Sequence, residues 1–118
     1  MAGYEAPAES SDWQRRNLDD PVEVFRVDWT YEAQDMERMR WGLVPQSMED
    51  KWFVYAEENR LTFVRSWSGE FSFRALLGPG GIGEVSVSER FDATPEESLR
   101  ILRWVIDTFL VGLEVDGP

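Results

Sequence analysis

Lys51-Trp52-Phe53-Val54-Tyr55-Ala56-Glu57-Glu58-Asn59-Arg60-Leu61-Thr62-Phe63-Val64-Arg65-Ser66-Trp67-Ser68-Gly69-Glu70-Phe71-Ser72-Phe73-Arg74-Ala75-Leu76-Leu77 decides the fold. Three aromatic, β-branched runs are separated by two polar turns. That pattern predicts two consecutive β-hairpins. A loop over Glu57-Glu58-Asn59-Arg60 pairs Ala56 with Leu61, Val54 with Phe63 and Trp52 with Arg65. A two-residue Ser68-Gly69 turn then pairs Trp67 with Glu70, Arg65 with Ser72 and Phe63 with Arg74. In this register one face carries Phe53, Tyr55, Thr62, Val64, Ser66, Phe71, Phe73, Ala75 and Leu77, and is expected under a helix. The other carries Trp52, Val54, Ala56, Leu61, Phe63, Arg65, Trp67, Glu70, Ser72, Arg74 and Leu76, and is expected to be open. A slip of one residue in either turn would exchange the faces of a whole strand.

The flanks extend this sheet. Val22 to Trp29 alternates, with Phe25, Val27 and Trp29 on one side, and reads as a further strand after Pro21. From Thr30 to Trp41 the apolar spacing changes to three and four residues. That predicts a short helix capped by Thr30, closed by Gly42, with Met36 and Met39 as core filler. Gly78-Pro79-Gly80-Gly81-Ile82-Gly83 leads into a strand pattern over 84–89, not into a helix. It is therefore a turn rather than a phosphate cradle. Thr94, Pro95 and Glu97 form a helix-start signature. Leu99, Leu102, Val105, Ile106, Phe109 and Leu110 follow as a wide apolar face, with Gly112 placed to end the helix. Ile101 and Trp104 widen the apolar zone. The expected fold is α+β: a single antiparallel sheet of about five strands with two helices packed on one face. Residues 1–20 read as a mobile acidic tail and residues 21–118 as one domain.

Composition narrows the chemistry. The chain has 118 residues, with 42% hydrophobic, six Trp and seven Phe, enough for one aromatic-rich core. It contains no Cys and no His. Thiolate nucleophiles, disulfides, Ser-His-Asp catalysis and His- or Cys-ligated zinc are therefore excluded. With 23 acidic against 12 basic residues, the net charge is −11. Nucleic acid and anionic membranes are not expected partners of such a surface. No apolar run reaches the ~20 residues of a membrane span. No secretory leader pattern is visible, so a cytoplasmic protein is expected. The adjacent carboxylates, such as Glu57-Glu58 and Glu96-Glu97, match a solvated turn and a first helical turn rather than an acid/base pair or a metal site.

Trp52, Arg65, Trp67, Arg74 and Glu70 are the candidate site residues. On one sheet face, two arginines flanked by tryptophan rings suit a phosphate, a carboxylate or a stacked ring. The same residues also suit a cross-strand ladder in which Arg stems shield Trp rings. Lys51-Trp52-Phe53, followed by Leu61-Thr62-Phe63-Val64-Arg65-Ser66-Trp67-Ser68-Gly69, resembles a pattern in small bacterial proteins with a domain of unknown function. That pattern is Lys-Trp-Phe, then Leu-x-Phe-x-Arg-Ser-Trp-Thr-Gly; here Ser68 takes the Thr position. The resemblance spans residues 51–69, about a sixth of the chain. It implies that Lys51, Trp52, Arg65, Ser66, Trp67 and Gly69 form the characteristic part, and it carries a loose association with ADP-ribose metabolism.

Three readings follow. The first is a non-catalytic binding or accessory module, without cofactor, for a protein partner or an anionic small molecule. The second is an enzyme or binder for a nucleotide or ADP-ribose-like phosphate, with Arg65 and Arg74 on the phosphates and Glu70 as acid/base. The third is a structural homodimer.

Overall fold

The computed structural model describes residues 7–47 and 50–112. Five strands, Val22–Thr30 (β1), Trp52–Glu57 (β2), Arg60–Arg65 (β3), Phe71–Gly78 (β4) and Gly81–Ser88 (β5), form one antiparallel sheet in the order β1-β5-β4-β3-β2. Helix Ala33–Trp41 (α1) carries the chain from β1 at one edge to β2 at the other. Helix Pro95–Val105 (α2) follows β5 and continues into a π-turn, Ile106–Val111. The fold is α+β, as the alternation and helix signatures predict.

The first hairpin has the predicted register: Trp52 faces Arg65, Val54 faces Phe63 and Ala56 faces Leu61. Its turn is tighter than predicted. Glu57 pairs with Arg60, and Glu58 and Asn59 take left-handed φ values of 52° and 64°. That is the pair of conformations a two-residue hairpin needs to match the twist of its strands.

The second hairpin departs from the predicted register. Arg65 N–H donates to the Glu70 carbonyl at 2.9 Å, so the loop spans 66–69 instead of two residues. Val64 then faces Phe71, but Phe63 faces Phe73 and Thr62 faces Arg74. Ser72 is the extra residue of a β-bulge. The bulge sends Phe71 and Phe73, two apart, to opposite faces of the sheet. A second shift at Gly83 does the same in β5, so that Ile82 and Val85 share a face.

The face assignment of β2 and β3 is therefore inverted relative to the expectation. Trp52, Val54, Leu61, Phe63, Phe73, Ala75, Leu77, Ile82, Val85 and Val87 form the main core with Met36 and Met39 of α1 and Leu102, Val105, Ile106, Leu110 and Val111. Phe53, Tyr55, Val64 and Phe71 pack on the reverse face against Ala8, Leu18, Val22 and Val44. The stretch 7–20, expected as part of a tail, supplies this cover. Ala8 N–H donates to the Trp41 carbonyl at 2.8 Å, and Arg16 bridges Glu70 in parallel. Residues 1–6 of the expected tail lie outside the described residues.

Helix α1 starts two residues later than the predicted Thr30 cap would place it, with Glu32 at the N-cap. Thr94 caps α2 as predicted, its hydroxyl accepting from Glu97 N–H at 3.2 Å, with Pro95 in the first turn. Beyond Val105 the π-turn inserts an extra residue per turn. It rotates Leu110 and Val111 into the core and leaves Phe109 46% exposed, where uninterrupted α spacing predicts Phe109 inside. Gly112 closes the turn at φ 86°.

Tyr31, just after β1, ties this C-terminal element down. Its hydroxyl donates to Asp107 at 2.6 Å, and Arg103 lies 3.9 Å from the other Asp107 oxygen. Burial, then the hydrogen bond and the negative charge of Asp107, hold the Tyr31 phenol well above the ordinary tyrosine value of 10.0. The neutral phenol is thus the form that stabilises the native state. That stabilisation is complete below pH 10 and is lost as pH rises beyond it, because the unfolded chain ionises first. Tyr31→Phe is expected to cost about 1–3 kcal/mol at neutral pH, the loss of a hydrogen bond to a charged acceptor. Urea titrations from pH 7 to 11 should show the gap to wild type closing above pH 10. A gap that stays constant across that range would remove Tyr31 as its source.

Candidate functional site: the tryptophan end of the sheet

The 66–69 loop, the residues before β2 and the N-terminal segment meet at one end of the sheet. Ser66 is the fastener. Its N–H donates to the Lys51 carbonyl at 2.9 Å and its hydroxyl to the Asp50 carbonyl at 2.5 Å. Its own carbonyl accepts from Trp13 Nε1 at 2.7 Å and from Gln14 Nε2 at 3.0 Å. Gln14 also donates to the Trp67 carbonyl at 2.9 Å, and Arg16 N–H donates to the Gly69 carbonyl at 2.7 Å. Gly69 sits at φ 74°, in the left-handed region that favours glycine, and a Cβ there would press on Gln14.

This frame holds two tryptophans outward. Trp67 is 72% exposed and Trp13 is 36% exposed. With Gln14, Pro45, Gln46, Ser47 and Ser66 they line an open groove of about 670 Å³. An exposed indole buries a large apolar area when a partner covers it, and tryptophan is enriched among interface anchors. Arg15 and Arg16 follow Gln14 in the same segment, and Arg16 bridges Glu70.

The five predicted site residues do not form one cluster. Trp52 and Arg65 do meet: the Arg65 guanidinium stands 5.1 Å from the Trp52 ring centre. Trp52 is nevertheless a core residue, on the helix side of the sheet, with Phe73 5.5 Å away. Trp67 lies in the loop rather than on a strand. The Glu70 carbonyl accepts from Arg65 N–H and its N–H donates to the Ser68 hydroxyl at 3.2 Å, while its neighbours Gly69 and Phe71 make the backbone bonds to Arg16.

Arg74 is the correction. The Ser72 bulge places it on the reverse face, 4.4 Å above the Phe71 ring, with long hydrogen bonds of 3.4 Å to Thr62 Oγ1 and the Leu18 carbonyl. Burial lowers its pKa, and nearby Arg60 adds to that, while Tyr55 and Asp19 oppose it. Arg65 and Arg74 are thus on opposite sides of the sheet and share no site. Two residues absent from the predicted set, Trp13 and Gln14, are part of it. Nothing periodic in the N-terminal stretch marks them; the only signal is an isolated tryptophan in a polar segment.

Among the described residues no group of acidic side chains is arranged to hold a metal ion, and no helix is long and apolar enough to cross a membrane. No family model matches the chain, and no curated protein or solved structure does either.

Proposed function

We propose that the chain is a non-catalytic binding module of the cytoplasm whose docking surface is the Trp13–Trp67 groove. The observation that carries this is the Trp67 ring, 72% exposed on a loop fixed by backbone hydrogen bonds. Presenting it costs little ordering on binding, because the loop is already tied down. The occupant that suits the groove is a peptide segment of a partner protein carrying an apolar anchor beside acidic residues. The anchor would cover the indoles, and the acids would face Arg15 and Arg16, which follow Trp13 and Gln14 in the same segment. The residues that carry the resemblance, Lys51, Trp52, Arg65, Ser66, Trp67 and Gly69, all fall at this end. The phosphate-binding reading that needs Arg65 and Arg74 together has no support in this geometry, since the sheet lies between them.

A peptide array graded by net charge and apolar content tests the proposal. Enrichment of acidic, apolar peptides is expected. Trp67→Ala is expected to weaken the best of them by about 30-fold, roughly 2 kcal/mol at an interface anchor. The same change should shift stability by less than about 0.5 kcal/mol, as for an exposed side chain. Val24→Ala, at an exposed position outside the groove, should leave binding unchanged. Peptides that bind Trp67→Ala as tightly as wild type would sink the reading.

A further inference from the structure

A second concavity lies on the helix side of the same sheet end, independent of the groove. It has a volume of about 240 Å³ and is lined by Leu43, Asp50, Lys51, Trp52, Trp104 and Phe109. We propose that it is a binding site for a small planar aromatic carboxylate.

The walls are the first observation. The π-turn that removes Phe109 from the core stands it against Trp104, ring centres 5.3 Å apart at 80°. These two rings at right angles make a corner, and the buried Trp52 forms a third aromatic wall. A flat ring placed there meets one face and one edge, the two arrangements aromatic pairs prefer. The volume is below the ~300–1,000 Å³ of sites for drug-sized ligands. It therefore suits one or two fused rings rather than a nucleotide.

The π-turn itself is the second observation. Trp104 Nε1 and Thr108 Oγ1 are both buried with no hydrogen-bond partner among the described residues. Keeping such orphans costs free energy. An α-helical continuation would instead bury Phe109 in the core. π-turns recur where a helix is bent to serve a site.

The charges select the ligand. Aromatic walls with a carboxylate nearby also suit an organic cation. Here the Arg65 guanidinium already stands by the Trp52 ring, and an Asp50 carboxylate oxygen accepts from Gln46 N–H at 2.8 Å, closing its own loop. Lys51, the chain's only lysine, is fixed through its backbone by Ser66 and has no carboxylate partner among the described residues. Lys51 and Arg65 together outweigh the single Asp50 charge, so an anion gains a charge-assisted hydrogen bond from the Lys51 ammonium.

Calorimetric titration of the full chain with 1-naphthoate tests this. Saturable binding is expected below about 1 mM, the weak end of specific binding. Lys51→Gln should weaken it by about tenfold, the size of one charge-assisted contact. The neutral 1-naphthalenemethanol should be weaker than the acid by a similar factor. Phe109→Ala should weaken it about fivefold or more by opening the corner, and Val24→Ala, on the reverse face, should not change it. No saturable binding overturns the proposal. So does equal affinity for the alcohol, tighter binding of a naphthyl trimethylammonium, or binding that survives both Lys51→Gln and Phe109→Ala.

Discussion

Phe63→Ala is expected to cost about 3–5 kcal/mol of folding stability. Phe63 is fully buried, with its ring 6.3 Å from Phe73 and nearly perpendicular to it. Around it lie Val54 and Leu61 from the sheet and the buried side chains of both helices. Truncation removes a whole ring from contact and leaves a cavity that strands on either side of β3 cannot close. A domain of this size has ~5–15 kcal/mol in total, so the variant should be near its threshold at physiological temperature. Urea denaturation should show a lower midpoint with an unchanged slope. The comparison that gives this result meaning is Leu76→Ala. The simple hairpin register puts Phe63 and Leu76 on one open face. The observed sheet separates them, with Leu76 exposed on the reverse side. Leu76→Ala should therefore move stability by less than about 0.5 kcal/mol. Equal costs at the two positions would mean that the Ser72 bulge is misplaced.

Gly42→Ala is expected to cost about 3 kcal/mol or more. Gly42 is the residue at which α1 ends, with φ 67° and ψ −156°, its N–H donating to the Met39 carbonyl at 3.0 Å. The next residue, Leu43, exchanges two backbone hydrogen bonds of 2.9 Å with Val54 at the outer edge of β2. A Cβ at Gly42 would run into the Val54 carbonyl oxygen and crowd Ala8. Neither the conformation nor the space admits it, and the obstacle is backbone rather than a side chain that can turn away. The melting temperature should drop by more than ~10 °C, given about 4–8 °C per kcal/mol for a domain of this size. Gly80→Ala is the control. A Cβ there meets nothing within 4 Å, so this change should be neutral or slightly stabilising. A Gly42→Ala melt close to wild type would show that α1 does not hand over to β2 through this contact.

What could be read from the sequence follows the reach of each signal. The β2–β3 register was legible because a four-residue loop over 57–60 and the observed two-residue turn at Glu58-Asn59 have the same centre and so give the same pairs. Which face lies under the helices was not, because both faces of these strands are apolar. The start of α2 was legible because Thr94, Pro95 and Glu97 act within a single turn. Gly42 and Gly112 were legible as helix ends for the same local reason. The Ser72 bulge was not. Phe71-Ser72-Phe73 has the period of an ordinary strand, and only the existence of two separate cores, one beneath the helices and one beneath residues 7–20, requires the two rings to part. The π-turn was hidden similarly, since Phe109 has the spacing of an inward residue.

The Ser72 bulge also decides which of the predicted site residues meet. Arg65 and Trp52 were paired correctly, because they depend on the first hairpin alone. Arg74 joins them only in an unbulged second hairpin, and the bulge at Ser72 puts it on the other side of the sheet. Trp13 entered the site from far away in sequence, through a single indole hydrogen bond that no local pattern announces.

The strand order has a consequence in time. β1 pairs only with β5, at the far end of the meander from β2. During synthesis β1 leaves the ribosome before any of its hydrogen-bonding partners exists. It must wait until α1, β2, β3 and β4 have all been made. The four later strands can zip in succession through short turns, each onto its predecessor, while the earliest strand docks by a long-range closure that is intrinsically slow. Until then its Phe25, Val27 and Trp29 are an unpaired apolar edge, and the charges interleaved with them, Glu23, Arg26 and Asp28, keep that waiting strand from pairing with its neighbours' copies.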